Sequence, residues 1–154
     1  MSEFFTALIV VLCITGLIVG LYKFITGNFP ASKLIIEDPP IEHNGLEPTQ
    51  ARFMFFFTNW CPHCKDAQQS WRSFKQILKN SPVTYGNYDV NMEEINAEAN
   101  KSKSALYKIK AYPTFKLETT QKVFEMKGPI TPSTLNTFLE TALGKKVQKS
   151  SSSN

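Results

Sequence analysis

Cys61-Pro62-His63-Cys64 is the segment whose residue types can do chemistry together. Two cysteines with two residues between them can close a small disulfide ring and open it again by thiol–disulfide exchange. A third cysteine, Cys13, lies far upstream in an apolar stretch. The chain therefore carries one local pair, not the dispersed even set of a disulfide-rich scaffold. A zinc ion is the competing use of two close thiols, but zinc wants four ligands. There is no second cysteine pair, and His43 and His63 are the only histidines. No metal and no diffusible cofactor is expected, because a Cys61–Cys64 disulfide is itself a redox centre.

The residues around the pair say how it is held. Phe53, Met54, Phe55, Phe56 and Phe57 form a short apolar run within Ala51–Thr58, as in a central strand buried on both faces. From Pro62 to about Asn80 the apolar residues Ala67, Trp71, Phe74 and Leu78 recur at helical steps. The pair thus falls where a buried strand hands over to a helix. Free N–H groups and the positive end of the helix dipole stabilise a thiolate there. His63 adds positive charge or a hydrogen bond. Cys61 is expected as the exposed attacking thiol and Cys64 as the more buried resolving thiol, with Pro62 opening the helix.

Downstream, Ser81-Pro82 breaks the helix, and Val83–Val90 reads as a second strand. Glu93 to Ile109 reads as a polar helix. Thr114–Leu117 and Lys122–Met126 read as strands joined by a tight turn at Thr119-Thr120-Gln121. Gly128-Pro129 interrupts the chain, and Thr131-Pro132 opens a last helix with Leu135, Phe138, Leu139 and Leu143 on its apolar side. This order predicts an α/β domain over 51–144, with a mixed sheet containing a parallel crossover and a late antiparallel hairpin. Residues 27–50 read as a Pro-containing linker with one short strand over 33–37. Residues 145–154 read as a basic, Ser-rich disordered tail.

The N-terminal 26 residues are different in kind. Phe4 to Tyr22 is a run of nineteen uncharged residues, closed by Glu3 and Lys23. Phe24 and Ile25 extend it, so residues 4–25 fit a helix that crosses a hydrocarbon core of about 30 Å. A cleaved signal peptide is the alternative. It would want a basic start, a shorter apolar core and a small-residue cleavage site, and Met-Ser-Glu is not such a start. A retained single-pass anchor is therefore expected. Lys23 and Lys33 on the C-terminal side place the domain in the cytosol by the positive-inside rule. An oxidising lumen is the usual home of disulfide-making domains, and this argument pulls the other way. Cys13 reads as an inert apolar residue. Apolar residues make up 42% of the 154-residue chain and charged residues 19%, which argues against general disorder. A net charge of +4 without a basic patch, phosphate loop or zinc-finger spacing argues against nucleic-acid binding.

The stretch Phe57-Thr58-Asn59-Trp60-Cys61-Pro62-His63-Cys64-Lys65 resembles the active-site segment of the thioredoxin superfamily. Ile109-Lys110-Ala111-Tyr112-Pro113-Thr114-Phe115 resembles that family's second landmark, and its Tyr-Pro-Thr form is similar to protein disulfide isomerase domains. Tyr88-Asp89-Val90 resembles the strand end between the two, and Gly128 the late glycine. The resemblance covers about Ala51 to Gly144. It implies a thioredoxin-like fold, which in this chain follows the one transmembrane helix expected from residues 4–25. It also implies a cis bond before Pro113, with Tyr112 offering backbone groups to an extended substrate and Trp60 beside the nucleophile. The implied activity is disulfide exchange with cysteine-containing client proteins. A partner oxidase or reductase would reset the pair. The Pro-His dipeptide resembles that of the bacterial periplasmic thiol oxidase and implies a more oxidising poise than thioredoxin's. The family often buries an acid six residues before the first cysteine. Here that position is Phe55, and the accompanying lysine looks replaced by Asn87. The alternative function is structural: a scaffold in an organelle complex or a membrane-containing virus particle.

Overall fold

The computed structural model describes residues 2–26, 35–42 and 44–148. His43, the first two residues of the expected strand 33–37, and the tail beyond 148 lie outside them. The chain divides into two units, Met1–Lys33 and Leu34–Asn154. The first consists of helix α1 (Ser2–Thr26). Its apolar side chains from Phe4 to Leu21 are exposed. The stretch Glu3–Leu21 is long and apolar enough to cross a membrane, as a transmembrane span or a signal sequence would be.

In the second unit the Phe-rich run forms β2 (Gln50–Phe57). It pairs in parallel with β4 (Asp89–Asn96) and antiparallel with β5 (Thr114–Glu118). Outside β5 come β6 (Val123–Met126) and then β1 (Ile35–Asp38), so the sheet order is β1-β6-β5-β2-β4. Alternation along β2 divides its side chains between two cores. Phe53 and Phe55 meet Trp71 and Phe74 of α2 (Pro62–Asn80) and Leu135, Phe138 and Leu139 of α4 (Pro132–Leu143). Met54 and Phe56 meet Ile95, Tyr107 and Val123 on the opposite face, beside α3 (Lys101–Leu106). Each fully buried phenylalanine contributes about 1.5–3 kcal/mol, so β2 is the keel of the domain.

The second face also buries charge. Glu118 is fully buried and accepts from Tyr107 Oη at 2.6 Å and Arg52 Nη1 at 3.2 Å. Burial, with the Glu118 carboxylate beside it, holds the Tyr107 hydroxyl protonated well above the usual phenol range. Lys116 Nζ lies 2.7 Å from both Asp38 and Glu125. Burial alone would depress its ammonium, but the two carboxylates outweigh burial and hold its pKa above the ordinary value. This ion cluster fastens β1 to the sheet.

Four expectations are corrected. Val83–Val90 is not one strand: Gly86, at φ +55°, turns the chain between β3 (Val83–Tyr85) and β4. The polar helix expected over Glu93–Ile109 is mostly absent. The first part continues β4, because β2 offers pairing partners as far as Asn96, and only six residues form α3. Ladder pairing overrides local helical pattern, and Glu93 and Glu94 suit an edge strand. The strand inside the expected linker is the sheet's edge strand β1, so the compact unit begins at Leu34 rather than at 51. The expected disordered tail opens with β7 (Lys146–Gln148), which pairs with β3.

That last pairing depends on one glycine. Gly86 N–H donates to Lys145 O at 2.9 Å, and a Cβ on Gly86 would lie 2.3 Å from the Leu143 carbonyl oxygen. Gly86→Ala therefore meets both a left-handed backbone and a backbone clash. It is expected to cost about 2 kcal/mol or more, a fall in Tm of roughly 5–10 °C. Thermal unfolding followed by circular dichroism checks this. An unchanged Tm would show that β7 is dispensable.

Candidate active site

β2 ends at Phe57, and Thr58, Asn59 and Trp60 lead into α2. Cys61 is the N-cap of that helix, with extended backbone (φ −80°, ψ 111°), and Pro62 occupies its first turn. Its sulfur takes the place that a serine or aspartate oxygen fills in other helices, accepting the Cys64 N–H at 3.2 Å. A thiolate at Cys61 is thus offered a backbone donor and the positive helix end at once. Both cysteines are free thiols.

The second half of the site arrives from 51 residues downstream. The Tyr112–Pro113 bond is cis, and the Cys61 thiol donates to the Tyr112 carbonyl at 3.6 Å. Trp60 stands over this junction, edge-on to the Tyr112 ring with centroids 6.3 Å apart, and is 68% exposed. Structure thus brings together Trp60, Cys61, Pro62, Cys64, Tyr112 and Pro113. His63 projects into solvent from the first turn of α2. Among the described residues, no group of three or more His, Cys, Asp or Glu side chains converges as a metal site would.

The cysteines differ less in exposure than the sequence suggests. Cys61 is 4% exposed and Cys64 3%. The cis-proline loop covers the expected exposed nucleophile, and neighbours that distant in sequence are invisible to local pattern. Burial, and after it the hydrogen bond with Cys61, pushes the Cys64 thiol up to about 11; a backbone bond from Thr58 opposes this. Cys64 is therefore a thiol, not a thiolate, at neutral pH.

Phe55, where the resemblance leads one to expect an acid, is fully buried and stacked on Phe115 at 4.7 Å. Asn87 is corrected: it lies in the turn before β4, and β4 begins opposite Gln50, at the end of β2 remote from the cysteines. Tyr88-Asp89-Val90 for the same reason opens a strand rather than ending one. Sequence reading missed Glu98, whose carboxylate accepts the Asn59 N–H at 3.5 Å, and Thr58, whose carbonyl accepts the Cys61 N–H at 3.4 Å. A polar residue closing an apolar run three positions before an N-cap was the available signal for Thr58.

A family model described as thioredoxin matches residues 45–141. The chain belongs to the thioredoxin family. It is similar to the thioredoxin domain-containing protein 5 homolog of Drosophila melanogaster, 28% identical over 103 residues, which are 66% of this chain and 23% of that one. It is also similar to a protein disulfide-isomerase of Ricinus communis, 35% identical over 78 residues, covering 48% of this chain and 15% of that protein. The chain thus spans less than a quarter of either relative's length. Among solved structures it resembles the first thioredoxin domain of mouse protein disulfide-isomerase A4. The TM-score is 0.52 at 15% identity, over 68% of this chain and 71% of that one, a likeness of fold.

Proposed function

We propose that this chain is a membrane-anchored thiol–disulfide oxidoreductase that exchanges disulfides with cysteines of client proteins. The observation that carries this reading is the seat of Cys61. Its sulfur lies at a helix N-terminus, bonded to the Cys64 N–H and facing the Tyr112 carbonyl beside Pro113. A client cysteine attacks Cys61 of the oxidised pair, and the Cys61–client disulfide forms as the Cys61–Cys64 bond breaks. The client's second thiolate then releases Cys61, leaving an oxidised client and a reduced pair. The reverse sequence reduces a client. Tyr112 offers its backbone to an extended client segment, and the exposed Trp60 ring offers it an apolar lip. A separate oxidase or reductase resets the pair.

The direction is tested by the reduction potential of Cys61–Cys64, equilibrated in glutathione buffers with thiol trapping. A reversible two-electron transition above about −270 mV, thioredoxin's value, is the expected result and assigns net oxidation or isomerisation. A value at or below it assigns reduction. A pair that does not cycle in the folded chain removes the reading altogether. Trp60→Ala is expected to raise KM for a cysteine peptide by about three- to tenfold with little change in kcat. Equal effects on both would mean that the ring positions Cys61 instead.

The anchor assignment rests on α1. β1 begins at Ile35 opposite Met126, the end of the sheet where β2 finishes and β5 starts. An anchor of this kind favours clients held on the same membrane through raised effective concentration. Removing residues 1–26 is expected to move the chain from the alkali-resistant membrane fraction to the soluble one. A full-length chain that alkali extracts, or that is found cleaved after α1, would replace the anchor with a signal sequence.

A further inference from the structure

β4 is an edge of the five-stranded sheet, with β2 on one side and no strand of that sheet on the other. Asp89 N–H donates to Thr49 O and, just past the strand, Ala97 N–H donates to Phe57 O, both at 2.8 Å. In a parallel ladder alternate residues bond to the neighbour, so Asp89, Asn91, Glu93 and Ile95 serve β2. Val90, Met92 and Glu94 therefore turn their N–H and C=O groups outward. Among the described residues, no backbone group bonds to them. β3 is the element that could have covered them. It meets β4 only at the turn, where Tyr85 and Tyr88 exchange hydrogen bonds at 3.1 and 2.9 Å, and then it pairs with β7 instead. The fork this leaves is a cavity of about 490 Å³ lined by Val83, Tyr85, Asp89 and Val90, with Leu78 of α2. Met92 and Glu94 lie beyond the fork as an open sheet edge, the kind of template to which another extended chain adds.

Charge and position say what this edge would take. β4 carries three acids, Asp89, Glu93 and Glu94, and no basic residue. Lys103 is held by Glu93 at 2.6 Å. Glu94 is exposed, accepts from Gln68 Nε2 at 3.5 Å and has no ion pair among the described residues. A second copy of the chain added through its own β4 would set these acids against each other, whereas a basic segment is complementary. The edge also runs into the redox site. Asn96 lies opposite Phe57, and the exposed Glu98 beyond it accepts the Asn59 N–H beside Trp60 and Cys61. A segment laid along Met92 and Glu94 thus emerges at the Cys61 end of the sheet.

We propose that the open edge of β4 is a second client-docking surface, which takes an extended, lysine- or arginine-rich segment of the client as an added strand while Cys61 takes the client's cysteine. The proposal rests on the dithiol reading above and names the clients it favours. The outward N–H and C=O groups of Met92 and Glu94 hold the segment's backbone, the cavity at Val90 leaves room for a side chain at its end, and the Glu94 carboxylate selects the basic side chain.

The test compares two peptides on the full chain in non-ionic detergent micelles, with Cys13→Ser to leave only the active pair. Each peptide has one cysteine, joined as a mixed disulfide to thionitrobenzoate. One is short, and the other is extended through a flexible spacer by alternating lysine and valine residues. Release of thionitrobenzoate from the reduced chain reports attack by Cys61 as a second-order rate constant. The extended peptide is expected to react about tenfold faster than the short one. Glu94→Lys, which reverses the charge, is expected to bring the extended peptide down to the rate of the short one. Glu94→Pro is expected to do the same by removing an outward N–H, a change an edge strand tolerates because the ladder to β2 does not use that group. Glu37→Lys, the same charge change on β1 at the opposite edge, is expected to keep the difference. The proposal is overturned if the parent shows no preference, if Glu94→Lys and Glu94→Pro both retain it, or if Glu37→Lys abolishes it as well. It is also overturned if the preference appears only after residues 149–154 are removed, which would assign the edge to the chain's own tail. Light scattering in which Glu94→Pro splits a dimer of the parent would assign the edge to a second copy and overturn it too. A parent chain that releases thionitrobenzoate from neither peptide would instead overturn the dithiol reading itself.

Discussion

Cys61→Ser is expected to reduce disulfide exchange to the uncatalysed background, a loss on the order of a thousandfold or more, since no other group supplies the attacking sulfur. The substitution is favourable as a control because Cys61 is an N-cap, and serine is among the best N-caps. The helix should therefore persist while the chemistry disappears. Cys64→Ser is expected to do the opposite. Cys61 keeps its seat and still attacks client disulfides, but the Cys64 thiol that would release the client is gone, so adducts between Cys61 and clients accumulate. They should appear on non-reducing gels and vanish with reductant. If the native membrane yields no such adducts with Cys64→Ser, protein thiols are not the substrate. If Cys61→Ser retains exchange, the nucleophile has been assigned to the wrong residue.

What could be read from the sequence follows from how local each cause is. β2 and α2 were legible because their patterns are set by burial within one element. The run Phe53–Phe57 is almost wholly buried, and α2 buries Ala67, Trp71 and Phe74 as its periodicity requires. The position of Cys61 at a strand-to-helix junction followed from those two elements. β4 was not legible beyond Val90. Its Glu93 and Glu94 carry no strand pattern, and the parallel ladder to β2 is what extends it. β7 was lost for the same reason, and β1, read as a short strand, was left in a linker because its place in the sheet is set by a partner remote in sequence. Within the site, the near equality of Cys61 and Cys64 in exposure comes from the Tyr112 carbonyl, which no reading of residues 57–65 contains. Asn87 was misplaced by counting along a family pattern, across a turn that Gly86 puts at the other end of the sheet.

The slow half of the reaction should show itself in its dependence on pH. The Cys64 thiol is pushed up to about 11, first by burial and then by its bond to Cys61, and only the thiolate attacks. In the mixed disulfide Cys61 is no longer a thiolate that accepts from the Cys64 thiol or repels its thiolate, but burial remains. The group that must ionise for client release is then raised less than in the dithiol, but burial still holds it above the ordinary thiol range. A thiol raised in this way is protonated throughout the neutral range. Release should therefore accelerate by about tenfold for each pH unit from 6 to 8 and bend over only in the alkaline range. Stopped-flow decay of a Cys61–peptide mixed disulfide between pH 6 and 10 measures this directly. A flat profile would require a base that removes the Cys64 proton inside the fold. Phe55 stacked on Phe115, with Trp71 beside them, leaves an aromatic floor under α2. The steep profile is what that aromatic floor dictates. It would make the chain quick to capture a client thiol and slow to let it go at neutral pH, a balance suited to retaining clients until a second thiol arrives.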